Sequence, residues 1–235
     1  ITVSAADRKW TLEEQLVVHL VQNNDRNVLL SRPANFTTTV PVKIGLSLTH
    51  IKDYDDLNQY VTVSSWLELW WDDYRLKWNP EDYAGVKMVP LPINRIWQPD
   101  VKLFNGVHPD MVKGDVMGQV YYTGQVFYGV PVQFTINCRP NAVRPKSLED
   151  DLSHPKFCSA RLGSWTYDAS KITLLPSQIK ADPLSQHPII AVTGGSSETN
   201  YHIFDAYSDK QWEDVSFNFN LAFRDPNKVL ERLYS

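Results

Sequence analysis

The sequence predicts an all-β protein, a β-sandwich carrying a single α-helix at its N-terminal end. Three observations lead there. Apolar residues recur at helical spacing in one stretch near the start. From about Val28 the period becomes two, in short runs punctuated by Gly, Pro and Asn. Many short strands after one helix favour two packed sheets. No internal repeat, low-complexity tract or boundary divides the 235 residues, so one domain spanning 1–235 is expected.

The helix is set by Leu12, Leu16, Val17, Leu20 and Val21, which share one face. Thr11 with Glu14 three residues on forms a capping box, and Asn23-Asn24-Asp25 closes the segment. Val40, Val42, Ile44, Leu46 and Leu48 then alternate with Pro41, Lys43, Gly45, Ser47 and Thr49, a half-buried strand. Tyr60 to Trp71 reads as its partner, with Leu76 to Trp78 extending the sheet. Asn79 to Gly85 is a turn cluster, and Pro90, Pro92 and Pro99 argue for extended loop. Val120 to Tyr128 and Val130 to Asn137 read as strands broken at Gly129-Val130-Pro131. Further strands are expected at Trp165–Leu175, Ile189–Thr193, Tyr201–Phe204 and Val215–Phe223, with a loop at Pro176–Pro188. In Ser216 to Leu221 the alternation is mixed, and either face could point inward.

Composition excludes several functions. With 23 basic and 27 acidic residues the net charge is −4, so no basic field exists for nucleic acid. No apolar run approaches the ~20 residues that a spanning helix needs, so membrane insertion by this chain is not expected. The two cysteines, Cys138 and Cys158, fit no zinc spacing and are either two buried thiols or one bridge. A bridge implies an oxidising compartment. Asn35-Phe36-Thr37 is a glycosylation acceptor at Asn35, in agreement with secretion. The histidines at 19, 50, 108, 154, 187 and 202 are scattered. No phosphate loop or nucleophile elbow occurs, and Asp72-Asp73 and Asp150-Asp151 read as solvated surface. No catalytic residues, cofactor or metal are expected.

The aromatic residues carry more information. Eight Trp, eleven Tyr and nine Phe supply both core volume and binding faces. Trp165 lies between Gly163-Ser164 and Thr166-Tyr167, seven residues after Cys158. Together with Trp66 and the Trp97-Gln98-Pro99-Asp100 turn, it suggests a cation-binding aromatic pocket rather than a catalytic centre. Trp66 and Trp165 each suit a core role as well, and Trp70, Trp71 and Trp78 read as core. Tyr207 and Trp212 flank Ser208-Asp209-Lys210-Gln211, a hairpin-like turn where aromatics tend to be functional.

Four blocks resemble the extracellular ligand-binding domain of the Cys-loop (pentameric ligand-gated) receptor family, and especially its soluble acetylcholine-binding proteins. They are Asn58 to Thr62 with Trp66-Leu67, Trp71 and Leu76 to Tyr83; Ile96 to Asp100 with Leu103-Phe104-Asn105; Cys158 to Tyr167; and Trp212 to Val215. The resemblance implies an immunoglobulin-like β-sandwich with an N-terminal helix, assembled as a ring homopentamer, with Cys138 and Cys158 bridged. It implies a site between neighbours. The principal face takes Phe104, Trp165, Tyr207 and Trp212; the complementary face takes Trp66, Gln119, Phe127 and Gly129. The implied ligand is a small cation, acetylcholine-like or another amine. A full counter-charge would cost heavy desolvation, whereas each aromatic face attracts a cation by roughly 0.5–2 kcal/mol while staying apolar.

The chain departs from the family's pattern in three places. The loop between the cysteines is longer than usual, lacks the Phe-Pro-Phe-Asp core, and is polar through Arg139, Arg144, Lys146, Glu149, Asp150, Asp151 and Lys156. Tyr207-Ser208 stands where principal nicotinic subunits carry adjacent cysteines, and Phe104 replaces a tyrosine. The polar loop favours a secreted, soluble, non-enzymatic binding protein. The alternative is the ligand-binding domain of a channel subunit, cut before its membrane part.

Overall fold

A computed structural model describes residues 10–22, 31–34, 39–55, 58–108, 111–140, 154–177, 179–181, 190–203 and 210–224. Asn23 to Asp25, Asn35, Asp150-Asp151 and Tyr207 lie outside the described residues.

The helix α1 (Leu12–Gln22) starts at the expected capping box. Glu14 N–H donates to Thr11 Oγ1 at 3.1 Å, and Thr11 N–H donates to Glu14 Oε2 at 2.9 Å. Leu16 and Leu20 are buried, and Val17 and Val21 pack beside them.

Among the described residues twelve strands follow: β1 (Val40–Asp55), β2 (Tyr60–Asp72), β3 (Met88–Pro92), β4 (Val101–Leu103), β5 (Val112–Lys113), β6 (Met117–Tyr121), β7 (Gln125–Pro140), β8 (Lys156–Ser164), β9 (Ile172–Pro176), β10 (Lys180–Ala181), β11 (Ile190–His202) and β12 (Trp212–Phe223). The first sheet runs β10-β1-β2-β7. In it β9 lies parallel to β1, β5 and β6 lie beside β7, and β3 pairs with β6. The second sheet runs β8-β12-β11, with β4 on the free side of β8. Strand β7 belongs to both. Its long body pairs with β2, and its last residues, Cys138 to Pro140, pair with β8.

Alternation decides what is buried. Val42, Ile44 and Leu46 of β1, Leu67, Leu69 and Trp71 of β2, and Val130, Val132 and Phe134 of β7 face inward. They meet Ala160 and Leu162 of β8 and Phe217, Phe219 and Leu221 of β12 in one core. The ambiguous facing of Ser216 to Leu221 is thereby resolved. Cys138 sits opposite Cys158 in the register and is bonded to it, Cα to Cα 4.3 Å.

Several expectations are corrected. Leu76 to Trp78 is not strand. Asp73 caps a short 3-10 turn at Tyr74–Leu76 by accepting from Arg75 N–H, and Leu76 is buried beneath it. Pro90 and Pro92 lie within β3, an edge strand where a missing N–H costs little. The break near Gly129-Val130-Pro131 does not exist, because β7 runs straight through it. Pro131 accepts from Gly114 N–H, so its ring nitrogen also faces away from β2 and no bond of that ladder is lost. The chain turns instead at Tyr122 to Gly124, with Gly124 at φ 84°. Lys156 to Ser164 is strand, whereas 165–171 is loop. Trp70 is not core; it is half-buried on the outer face of β2.

Candidate functional site

The first part of the loop that follows β8 is anchored by the Asp100 carboxylate. Asp100, just before β4, accepts from Ser164 Oγ at 2.6 Å and from Thr166 N–H at 2.7 Å. Ser164 Oγ in turn accepts from Tyr167 N–H at 3.0 Å. Trp165 is flanked by both anchors, and its side chain is left 70% exposed.

Phe104 is brought against it. Phe104 N–H donates to Arg161 O at 2.8 Å, which fixes the segment beside β8. Its ring occupies the space above Gly163, where an added Cβ would lie 2.6 Å from the Phe104 ring and 2.9 Å from Glu213 O. The ring centroids of Phe104 and Trp165 are 6.2 Å apart at 69°, an edge-on pair.

The hairpin β11–β12 is tied to the same loop. Ala169 N–H donates to Gln211 O at 2.7 Å, next to Trp212, which is half-buried opposite His202. Beneath lies Asp214, fully buried. It accepts from Arg161 at 2.5 Å and Asn200 at 3.0 Å, with His202 Nε2 at 2.5 Å. Glu213 beside it is buried and accepts from Leu174 N–H at 2.7 Å.

Burial raises the Glu213 carboxyl above the ordinary glutamate value, and the Leu174 bond works against that rise. Folding therefore favours the protonated form. Stability falls as pH climbs from the ordinary glutamate value through the raised folded one. Glu213→Gln keeps an acceptor for Leu174 and should abolish that fall. Its thermal midpoint should exceed that of the parent above the raised value and match it in acid, and a parallel pH profile for both proteins would refute this.

The other predicted residues share the outer face of the first sheet. Trp66 is 44% exposed on β2, opposite Pro131 of β7 and Ser47 of β1. Phe127 lies opposite both Trp70 and Gln119, and Gly129 lies opposite Glu68. Gln119 is exposed and accepts from Tyr121 Oη at 3.1 Å. Trp70 packs against Phe127 at 4.2 Å, tilted by 31°, and stacks on Tyr121 at 6.3 Å. The structure thus gathers the predicted residues into two groups, Phe104 with Trp165 and Trp66 with Gln119, Phe127 and Gly129. The sequence reading omitted Trp70, Tyr121 and Glu68 from the second group. For Trp70 and Glu68 the signal was available in the alternation of β2, which gives Trp66, Glu68 and Trp70 one face.

Residues 13–225 match the model of the neurotransmitter-gated ion-channel ligand binding domain. Similar relatives include the neuronal acetylcholine receptor subunit alpha-5 of Gallus gallus, 31% identical over 171 residues, covering 72% of this chain and 36% of the relative. The alpha-4 subunit of Mus musculus is 34% identical over 177 residues, 73% of this chain and 26% of the relative. The alpha-6 subunit of Mus musculus is 29% identical over 214 residues, 88% and 41%. The chain spans less than half the length of each of these relatives. With its helix, sandwich and bridged cysteines, the chain belongs to the neurotransmitter-gated ion-channel ligand-binding domain family.

Proposed function

We propose that the chain, one domain over 1–235, binds a small cationic, neurotransmitter-like ligand in an aromatic box between two copies of itself in a homopentamer, without chemical turnover. The observation that carries this reading is the Trp165 ring, 70% exposed yet anchored on both sides and edge-on to Phe104. Trp212 and Tyr207 complete the principal face, and Trp66, Gln119, Phe127 and Gly129 form the complementary one. Trp66 lies on the outer face of the first sheet, whereas Trp165 closes a strand of the second, so the core separates them. One ammonium group touches both only if a second copy supplies the partner face.

The test mixes Trp165→Ala protomers with Trp66→Ala protomers after each variant has been shown to assemble. Some interfaces of a mixed ring then pair two intact faces, so a fraction of tetramethylammonium binding returns. Verified mixed rings without recovery would sink the inter-subunit reading.

The polar segment between Cys138 and Cys158 supports a secreted, soluble binding protein, glycosylated at Asn35. A second reading, the extracellular domain of a channel subunit, is favoured by the 26–41% of each relative that the chain covers. Reading the coding sequence past Ser235 separates the two: apolar spans there would establish the channel.

A further inference from the structure

We infer that Arg32 is a positioning residue for the candidate site: it holds the Trp165 ring in place by bracing the far side of the loop that carries it. The inference rests on the aromatic box proposed above and adds to it a residue that belongs to neither of its faces.

Asp100 secures only the start of the loop 165–171. Its end is secured from the chain ahead of β1. Arg32 Nη1 donates to Lys171 O at 2.6 Å, and the same oxygen accepts from Val40 N–H at 3.0 Å. Thr39 Oγ1 donates to Ser170 O at 3.1 Å. Arg32 differs from these neighbours in reaching back into the loop. Its Cζ lies over the Tyr167 ring, 5.7 Å from the centroid. A planar guanidinium can cover an aromatic face and donate from its edge at the same time. One side chain therefore spans the loop, from Tyr167 to Lys171.

Tyr167 passes this constraint on. It is half-buried and packs against the core, and its N–H donates to Ser164 Oγ, the hydroxyl that Asp100 accepts from. Trp165 thus stands between an anchor on its near side and a braced tyrosine on its far side.

The brace is itself fixed. Ser31 O and Ser31 Oγ accept from Arg75 Nη1 at 3.1 and 3.0 Å. Asp73 holds Arg75 through Nε and Nη2, each at 2.8 Å. Asp73 is buried, and its N–H donates to Gly124 O at 2.8 Å. On the other side of Arg32, Pro33 is buried and its φ is locked by its ring. The backbone that carries the guanidinium is therefore tied on both sides before it meets the loop.

The experiment is a double-mutant cycle, read by tetramethylammonium calorimetry on the assembled protein. Arg32→Ala alone should weaken binding about five-fold. In a Trp165→Ala background the same change should weaken it by less than about two-fold, because the ring whose place it fixes is gone. A general loss of stability would not depend on Trp165 in this way. Arg32→Gln, which keeps a donor for Lys171 O without the charge, serves where the alanine variant does not assemble and should show the same dependence. Parent affinity in the Arg32 variant, or an equal loss with and without Trp165, would overturn this inference alone, provided that Trp165→Ala by itself weakens binding. If Trp165→Ala leaves the affinity unchanged, the box and the inference fall together.

Discussion

Replacing Trp165 with alanine should weaken tetramethylammonium binding by on the order of 2 kcal/mol, about thirty-fold. The ring is 70% exposed, so its loss should leave folding nearly untouched. This separates it from a core tryptophan such as Trp71, whose truncation opens a cavity and destabilises the whole sandwich. Trp165→Phe keeps a weaker face and should lie between the parent and the alanine variant. Calorimetric titration alongside thermal unfolding reads both quantities. An unchanged affinity in a protein with an unchanged melting curve would remove Trp165 from the site.

The largest effect on stability should come from the bridge. Serine at both Cys138 and Cys158 reopens a loop of sequence separation 20, which in the chain-entropy model costs about 3 kcal/mol. The location adds to this cost. The bond joins the end of β7, whose body lies in the first sheet, to β8 of the second. Without it, the direct pairing of these two strands is the short ladder at Cys138 to Pro140, beside the core that both sheets share. Urea unfolding of the double variant should show a lower midpoint. An unaltered midpoint, or native protein with two titratable thiols, would contradict the assignment.

Where the residues alternate cleanly, the sequence is a good guide. Leu16 and Leu20 against the capping box define α1, and Val40 to Leu48 against Tyr60 to Trp71 define the central hairpin. Strand β8 was missed because its buried positions are Lys156, Cys158, Ala160, Leu162 and Ser164. A lysine and small residues hide a period of two that burial makes plain. Pro131 and Gly129 read as a break because propensity is local, whereas the side toward which a strand directs its N–H groups is set by its neighbours.

The site shows the same division. Phe104, Trp165 and Trp66 stood out by motif. That Trp165 is a surface ring depends on Asp100, 65 residues earlier and joined to its loop by hydrogen bonds that no local pattern encodes.

The two hydrogen bonds on Asp100 also have a kinetic meaning. Both are bonds within the chain, so they hold the loop through its own residues. On the function proposed above, an incoming molecule would meet a ring already in position, and the roughly 0.5–1.5 kcal/mol of ordering per immobilised side chain would not be subtracted from its affinity. Differences between ligands would then fall on their residence times rather than on their rates of arrival.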